Sequence, residues 1–150
     1  MDLILWRHAE AEEDSDDMRR RLTPKGRKQA ARAGEWLLQR LPARFVLLSS
    51  PAVRAHQTAQ ALGKAIKTDE KLAPGASSKA IIEASGWPNH KGAVVIVGHQ
   101  PDLGRALAVL VAESPRPWSI KKGGFWWISN RVRDGDAQVV VRAVVSPDLL

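Results

Sequence analysis

Cysteine is absent from the 150-residue chain. Its absence removes disulfides, thiolate metal sites and a cysteine nucleophile, and with them the cysteine-dependent route to phosphate-ester cleavage. Long apolar runs are also lacking. None approaches the roughly 20 residues needed to span a bilayer, and the short N-terminal run carries Asp2 where a secretory signal needs positive charge. The expectation is a cytoplasmic protein without membrane association. The four histidines are dispersed, no repeat or low-complexity segment occurs, and no metal-ligand pattern stands out, so metal-independent chemistry without a cofactor is expected. Aromatic residues are few, and six of them are tryptophan. Trp6, Trp36, Trp126 and Trp127 fall on apolar strands or a helix and belong to core or sheet faces, whereas Trp87 and Trp118 fall in loops that can rim a cleft. No alternation of aromatic and basic residues accompanies them, so no nucleic-acid partner is expected.

What the chain does contain fits a globular protein, with 44% hydrophobic and 26% charged residues. Its length suits a single domain, residues 1–150, able to bury about two-thirds of the surface exposed on unfolding. A formal net charge of +7 favours anionic partners, either a phosphorylated protein or nucleic acid, without choosing between them.

Leu3 to Trp6 reads as a buried strand. Thr23-Pro24 opens a helix with an apolar stripe of Ala30, Ala33, Leu37, Leu38 and Leu41, and Pro42 ends it. Phe45 to Leu48 is a second buried strand, after which Ser50 as N-cap and Pro51 at the first helical position predict a helix running to about Ile66. Between Thr68 and Gly92 the pattern is less regular, with a short helix expected around Ser78 to Ala84. Ala93 to Val97 is a third apolar run, followed by a helix from near Asp102 that buries Leu103, Leu107, Leu110 and Val111. Phe125 to Val132 and Val139 to Val145 alternate as strands, and the Asp134-Gly135 pair between them favours a hairpin. Repeated strand-then-helix units predict a three-layer α/β/α sandwich, its sheet mainly parallel with an antiparallel C-terminal hairpin.

Two of these strands deliver a histidine at their carboxyl ends: Arg7-His8 after the first and Gly98-His99 after the third. Ligands bind beyond the carboxyl ends of strands in an open α/β sheet, so both imidazoles are expected in one pocket. Neutral imidazole is a nucleophile, and Arg presents a planar fork matched to phosphate oxygens, which points to attack on a phosphoryl group. An Arg-His pair alone is a weak signal that a surface loop can also produce. Its position at a strand end strengthens it. Arg54, in the first turns of a helix whose positive dipole end favours anions, adds a full charge. His56 and His90 lack such company and read as solvent-facing.

Together, Arg7-His8-Ala9-Glu10, Ser50-Pro51-Ala52-Val53-Arg54 and Gly98-His99-Gln100-Pro101 resemble the motifs of the histidine phosphatase superfamily (phosphoglycerate mutase-like), from residue 3 to about residue 110. The short length, the Leu22-Thr23-Pro24-Lys25-Gly26 segment and Gly-His-x-Pro look like the small SixA-type phosphohistidine phosphatases. The resemblance implies a hydrolase in which His8 becomes phosphorylated, Arg7 and Arg54 bind the phosphoryl oxygens, and His99 donates a further hydrogen bond. Guanidinium groups at about 4 Å would each interact with the anion by roughly 4 kcal/mol at an effective dielectric of 20, before desolvation. Arg7 and Arg54 are expected to lower the pKa of His8 and so keep it neutral, with His99 titrating as its coupled partner.

The resemblance also makes Asp17, within the six-acid stretch Glu10 to Asp17, the candidate general acid, with Glu10 next. Otherwise this stretch and Arg19-Arg20-Arg21 read as a solvated loop. An imidazole leaves phosphorus far more readily than an alkoxide, so weak provision of acid favours P–N cleavage. The expected substrate is therefore a phosphorylated protein, a phosphohistidine-containing signalling domain, reaching a site that the roughly 25 residues from Thr68 to Gly92 leave open. The rival expectations are hydrolysis of a small phosphomonoester and a binding module that holds phosphate or nucleic acid without turnover. A mutase fits poorly with the chain length.

Overall fold

In the computed structural model, which describes residues 1–114 and 116–150, six strands form one mixed sheet. In chain order these are β1 (Asp2–Arg7), β2 (Phe45–Ser49), β3 (Lys67–Thr68), β4 (Ala93–Gly98), β5 (Phe125–Arg133) and β6 (Asp136–Val145), and across the sheet they run β3-β2-β4-β1-β5-β6. Four helices cover it: α1 (Pro24–Leu38), α2 (Val53–Ala59), α3 (Ser78–Ser85) and α4 (Asp102–Ala112). Two apolar cores lie on opposite faces of the sheet. On one, Ala33 and Leu37 of α1 and Ala55 and Ala59 of α2 pack against Ile4, Trp6, Val95 and Val97. On the other, Ile81 of α3 and Leu103 and Leu107 of α4 pack against Leu3, Leu5, Val94 and Ile96. Alternate side chains of one strand thus enter different cores, which explains why β1 and β4 read as continuous apolar runs rather than alternating ones.

Register then sets the geometry of the site. β1 and β4 pair in parallel with Arg7 opposite Gly98, and β2 and β4 pair in parallel with Ser49 opposite Val97. The residues that follow, His8, His99 and Ser50, therefore leave the sheet side by side at its carboxyl edge.

Helix ends follow local chemistry, with some departures from expectation. Thr23 caps α1 by accepting from Gly26 N at 2.9 Å, with Pro24 in the first turn. The helix stops at Leu38 rather than continuing to Leu41, because Arg40 N and Leu41 N both turn back to Leu37 O. Leu41 stays in the core even so.

α2 is much shorter than the segment to Ile66 and has no side-chain cap. Ser50 does not serve as N-cap, since the helix starts three residues later and the hydroxyl is taken by a histidine across the cleft. After a 3-10 turn at Gln60–Leu62, Gly63 adopts φ 58° and ends the run. β3 is an addition to the expected sheet. The hairpin is as expected, with Asp134 and Gly135 at φ 53° and 85°, the positive pair a tight two-residue turn requires.

Trp6, Trp36 and Trp127 join the first core. Trp87 and Trp118 do not rim the cleft. They pack on the second core, Trp118 with its ring 5.0 Å from that of Trp126. Among the described residues no helix is long and apolar enough to cross a membrane.

Candidate active site

Arg7, His8, Asp17, Arg54 and His99 line one cleft of about 470 Å³ at the carboxyl edge of the sheet. His8 and His99 are buried, with ring centroids 5.2 Å apart. Between them lies the buried guanidinium of Arg54, delivered by α2 from directly behind the β2 strand end.

Its partners determine both imidazole tautomers. Arg54 Nε donates to His8 Nε2 at 3.2 Å, and His8 Nδ1 lies 2.7 Å from Ala9 O. A guanidinium cannot accept and a carbonyl cannot donate, so the proton of neutral His8 sits on Nδ1 and the lone pair of Nε2 accepts from Arg54 at the cleft wall. By the same reasoning, Arg54 NH2 donates to His99 Nδ1 at 3.4 Å, so the proton of His99 is on Nε2 and goes to Ser50 Oγ at 2.7 Å. Ser50 Oγ also accepts from Ala52 N at 3.2 Å, which ties the β2–α2 turn to the second imidazole.

Thr58 completes the frame, accepting from Ala9 N at 3.0 Å and donating to Arg54 O at 2.8 Å. It sits four residues after Arg54 on the same helix face, a spacing from which it could have been picked out beforehand.

Arg7 reaches the cleft from the end of β1. Its NH1 donates to Ile120 O at 2.8 Å, while its Nε is buried with no partner. The loop supplying that carbonyl is clipped to α4. Gln100 Nε2 donates to Trp118 O at 2.8 Å, Trp118 N donates to Gly104 O at 3.2 Å, and Gly104 N donates to Gln100 Oε1 at 2.9 Å. A Cβ on Gly104 would stand 1.8 Å from Trp118 O, so only glycine fits.

Asp17 lies in a 3-10 turn, Asp17–Arg19, that folds over the cleft. Arg54 NH1 donates to Asp17 O at 2.6 Å and NH2 to Asp17 Oδ2 at 3.1 Å, while Arg20 NH1 reaches Asp17 Oδ1 at 3.3 Å. Glu10 stays outside the cleft. It lines an adjoining depression, with Oε1 accepting from Thr23 Oγ1 at 3.0 Å. His56 and His90 are half-buried and do not line the cleft. Arg20, Arg105 and Lys122 do line it, although no motif marked them.

These surroundings hold the titratable groups deprotonated near neutrality. Burial pushes His8 down to about 4, and Arg54, Arg7 and Arg20 add to the effect against the opposing bond to Ala9 O. The arginines were expected to cause this shift, but burial is the larger cause. His99 shares it, lowered to about 3 by burial and then by His8 and Arg54. The slight burial of Asp17 raises its carboxyl, but Arg54 and then Arg20 outweigh that and hold it below the ordinary carboxylate range. An ionised Asp17 is poorly suited to act as an acid. The cleft therefore presents one uncharged nucleophilic nitrogen beside a cationic cradle, and among these three groups none keeps a proton ready for an alkoxide.

Comparison with known proteins gives a consistent picture. The profile of the Histidine phosphatase superfamily (branch 1) matches residues 3–75, which include Arg7, His8, Asp17 and Arg54. The chain is 31% identical over 126 residues to a Phosphohistidine phosphatase SixA homolog of Haemophilus influenzae, covering 73% of this chain and 77% of that one. It is 35% identical over 138 residues to an uncharacterised protein of Picosynechococcus, covering 83% and 82%. Among solved structures, a candidate phosphohistidine phosphatase SixA from Nakamurella multipartitia superposes with a TM-score of 0.82 at 27% identity, covering 97% of this chain and 95% of that one.

Proposed function

Because the chain belongs to the histidine phosphatase superfamily, we propose that it is a phosphatase that removes the phosphoryl group from a protein phosphohistidine through a covalent phospho-His8 intermediate. The observation that carries this reading is the pair of bonds that leaves His8 Nε2 unprotonated and against the Arg54 guanidinium, Nδ1 to Ala9 O and Arg54 Nε to Nε2, so that the lone pair is released for attack as Arg54 turns its Nε–H to the phosphoryl oxygens.

In the first half-reaction Nε2 attacks phosphorus. The His8 N–P bond forms, the substrate P–N bond breaks, and the departing imidazole takes its proton from water. Arg7 and Arg54 follow the phosphoryl oxygens through the transfer, and His99, whose proton is held by Ser50 Oγ, positions Arg54 from its other side. Water then attacks phospho-His8, inorganic phosphate leaves and neutral His8 is restored.

The substrate class follows from acid provision. An alkoxide leaving group needs a proton donor in the transition state, and Asp17, the candidate for that role, is held ionised by two arginines. An imidazole leaving group needs much less help. A protein substrate is supported by how little the segment from Thr68 to Gly92 adds to the cleft lining, only Pro74 and Gly75, in a turn tied down by Asp102 Oδ2 accepting from Gly75 N at 2.8 Å. The reading requires no metal, and the expected partner is a phosphohistidine-bearing signalling domain in the cytoplasm.

The test is to incubate wild-type and His8→Ala protein with a phosphohistidine protein and a phosphoserine peptide, trapping acid-labile phosphate on the enzyme. Wild type is expected to prefer the phosphohistidine and to carry label, with turnover down by at least about 10³-fold in the variant. Equal release by the variant would reject His8 as nucleophile, and preference for phosphoserine would reject the substrate class.

A further inference from the structure

Arg54 has five N–H donors, and four of them have partners: Nε on His8, NH1 on Asp17 O, and the two hydrogens of NH2 on Asp17 Oδ2 and His99. One NH1 hydrogen remains, so a phosphoryl group that takes more than one bond from this guanidinium must take over donors already in use. The backbone carbonyl of Asp17 is tethered, but its carboxylate is not confined in the same way. It is more than half exposed, and its second oxygen already rests on Arg20. Arg20 is itself fixed from the other side, Nε donating to Glu12 O at 2.9 Å. The carboxylate thus has two seats, an inner one on Arg54 and an outer one on Arg20.

From this we propose that Asp17 is a competing internal counter-anion: the incoming phosphoryl group displaces its carboxylate from Arg54 onto Arg20, and the carboxylate returns as phosphate departs. The inference rests on reading the cleft as a phosphoryl site, and it assigns Asp17 a task other than acid catalysis.

Two consequences follow. The buried guanidinium never lacks an anion, so its desolvation is compensated in the resting protein as well as in the complex. Binding is also an exchange of one anion for another. A monoanion gains little by replacing a carboxylate, whereas a phosphate dianion gains more, so the exchange selects for the doubly charged group and weakens retention of the product. Asp17 acts through Arg54 and does not touch the reacting atoms, so it is a specificity and release residue rather than a catalytic one.

The test is to measure the affinity of inorganic phosphate by calorimetry, and its inhibition constant during turnover, for wild type, Asp17→Asn and Glu13→Gln. Asparagine keeps the shape and loses the charge. Glu13 lies 3.9 Å from Arg20 and is almost fully exposed, so its variant makes the same change in net charge without vacating Arg54. Asp17→Asn is expected to bind phosphate roughly tenfold more tightly and to be inhibited by it at correspondingly lower concentration, with Glu13→Gln changed by less than about twofold. Thermal denaturation of each variant checks the fold, and damage to the loop would weaken phosphate binding rather than tighten it. Unchanged or weaker binding by Asp17→Asn would overturn the proposal, as would equal tightening by Glu13→Gln. A loss of kcat in Asp17→Asn with phosphate affinity unchanged would return the residue to a role in proton transfer. No phosphate binding by wild type would reject the phosphoryl site itself, and this inference with it.

Discussion

The parallel strands β2, β4 and β1 and the antiparallel pair β5 and β6 belong to one sheet but differ in what covers them. β4 is buried along its whole length, whereas in β6 no residue is fully buried, and Val139, Val141 and Val144 remain exposed. The parallel strands lie between two helical layers, so their pairing register cannot slip without moving apolar side chains from one core to the other. Because they are held on both faces, their carboxyl ends can place two imidazoles and a serine hydroxyl within hydrogen-bonding reach. The hairpin contributes mainly at its base, where the loop leading into β5 hands Ile120 O and Gly124 O to Arg7. Its tip carries none of the groups that line the cleft.

The largest expected contrast is in stability. Ile96 is fully buried at the centre of β4, so Ile96→Ala is expected to cost about 2–5 kcal/mol, read from the shift of the urea midpoint. A cost below about 1 kcal/mol would break the distinction between the two regions.

A smaller effect is expected with pH, and it belongs to the parallel strands alone. The folded protein holds His8 and His99 down to about 4 and 3, whereas the unfolded chain takes up their protons near 6.5. Stability from these groups is therefore complete above pH 6.5. It declines as pH falls from there toward 4, because the unfolded state gains protons the folded state refuses, a loss of up to about 1.4 kcal/mol per histidine for each pH unit. A His8→Asn, His99→Asn protein should lose this dependence, and an unchanged slope in denaturant titrations at pH 7 and pH 5 would refute the assignment. For the same reason, the acid limb of kcat/KM should lie below 6.5.

The smallest effect is expected on the hairpin. Val141→Ala, at an exposed position on β6, should change stability by no more than about 0.5 kcal/mol and leave turnover unaltered. A large loss of activity would show that the whole hairpin, not just its base, positions Arg7.

This contrast also explains what could be read from the amino-acid order. β1 and β4 were legible because burial on both faces leaves only apolar residues between Leu3 and Trp6 and between Ala93 and Val97. β3 carries no such mark, since Lys67 and Thr68 are both exposed and their pairing depends on β2 alone. Ser50-Pro51 imitates a helix start, but the helix begins only at Val53, and the Ser50 hydroxyl joins the turn at Ala52 N to His99, forty-nine residues away. Arg7, His8 and His99 could be named because such chemistry is uncommon at strand ends, and Arg54 and Asp17 through the resemblance those motifs carry. Arg20, Arg105 and Lys122 could not, since nothing local separates a cation facing a cleft from one facing solvent.

The bare Cα of Gly104 shows how far the site extends beyond its reactive groups. The aim of Arg7 passes through Ile120 O to a loop whose own seating depends on a helix face with nothing projecting from it. A methyl group there would lift the loop and turn the Arg7 side chain aside without touching a histidine. For anyone redesigning this scaffold, that position is as unforgiving as a reactive residue, although no chemical inventory of the cleft would include it.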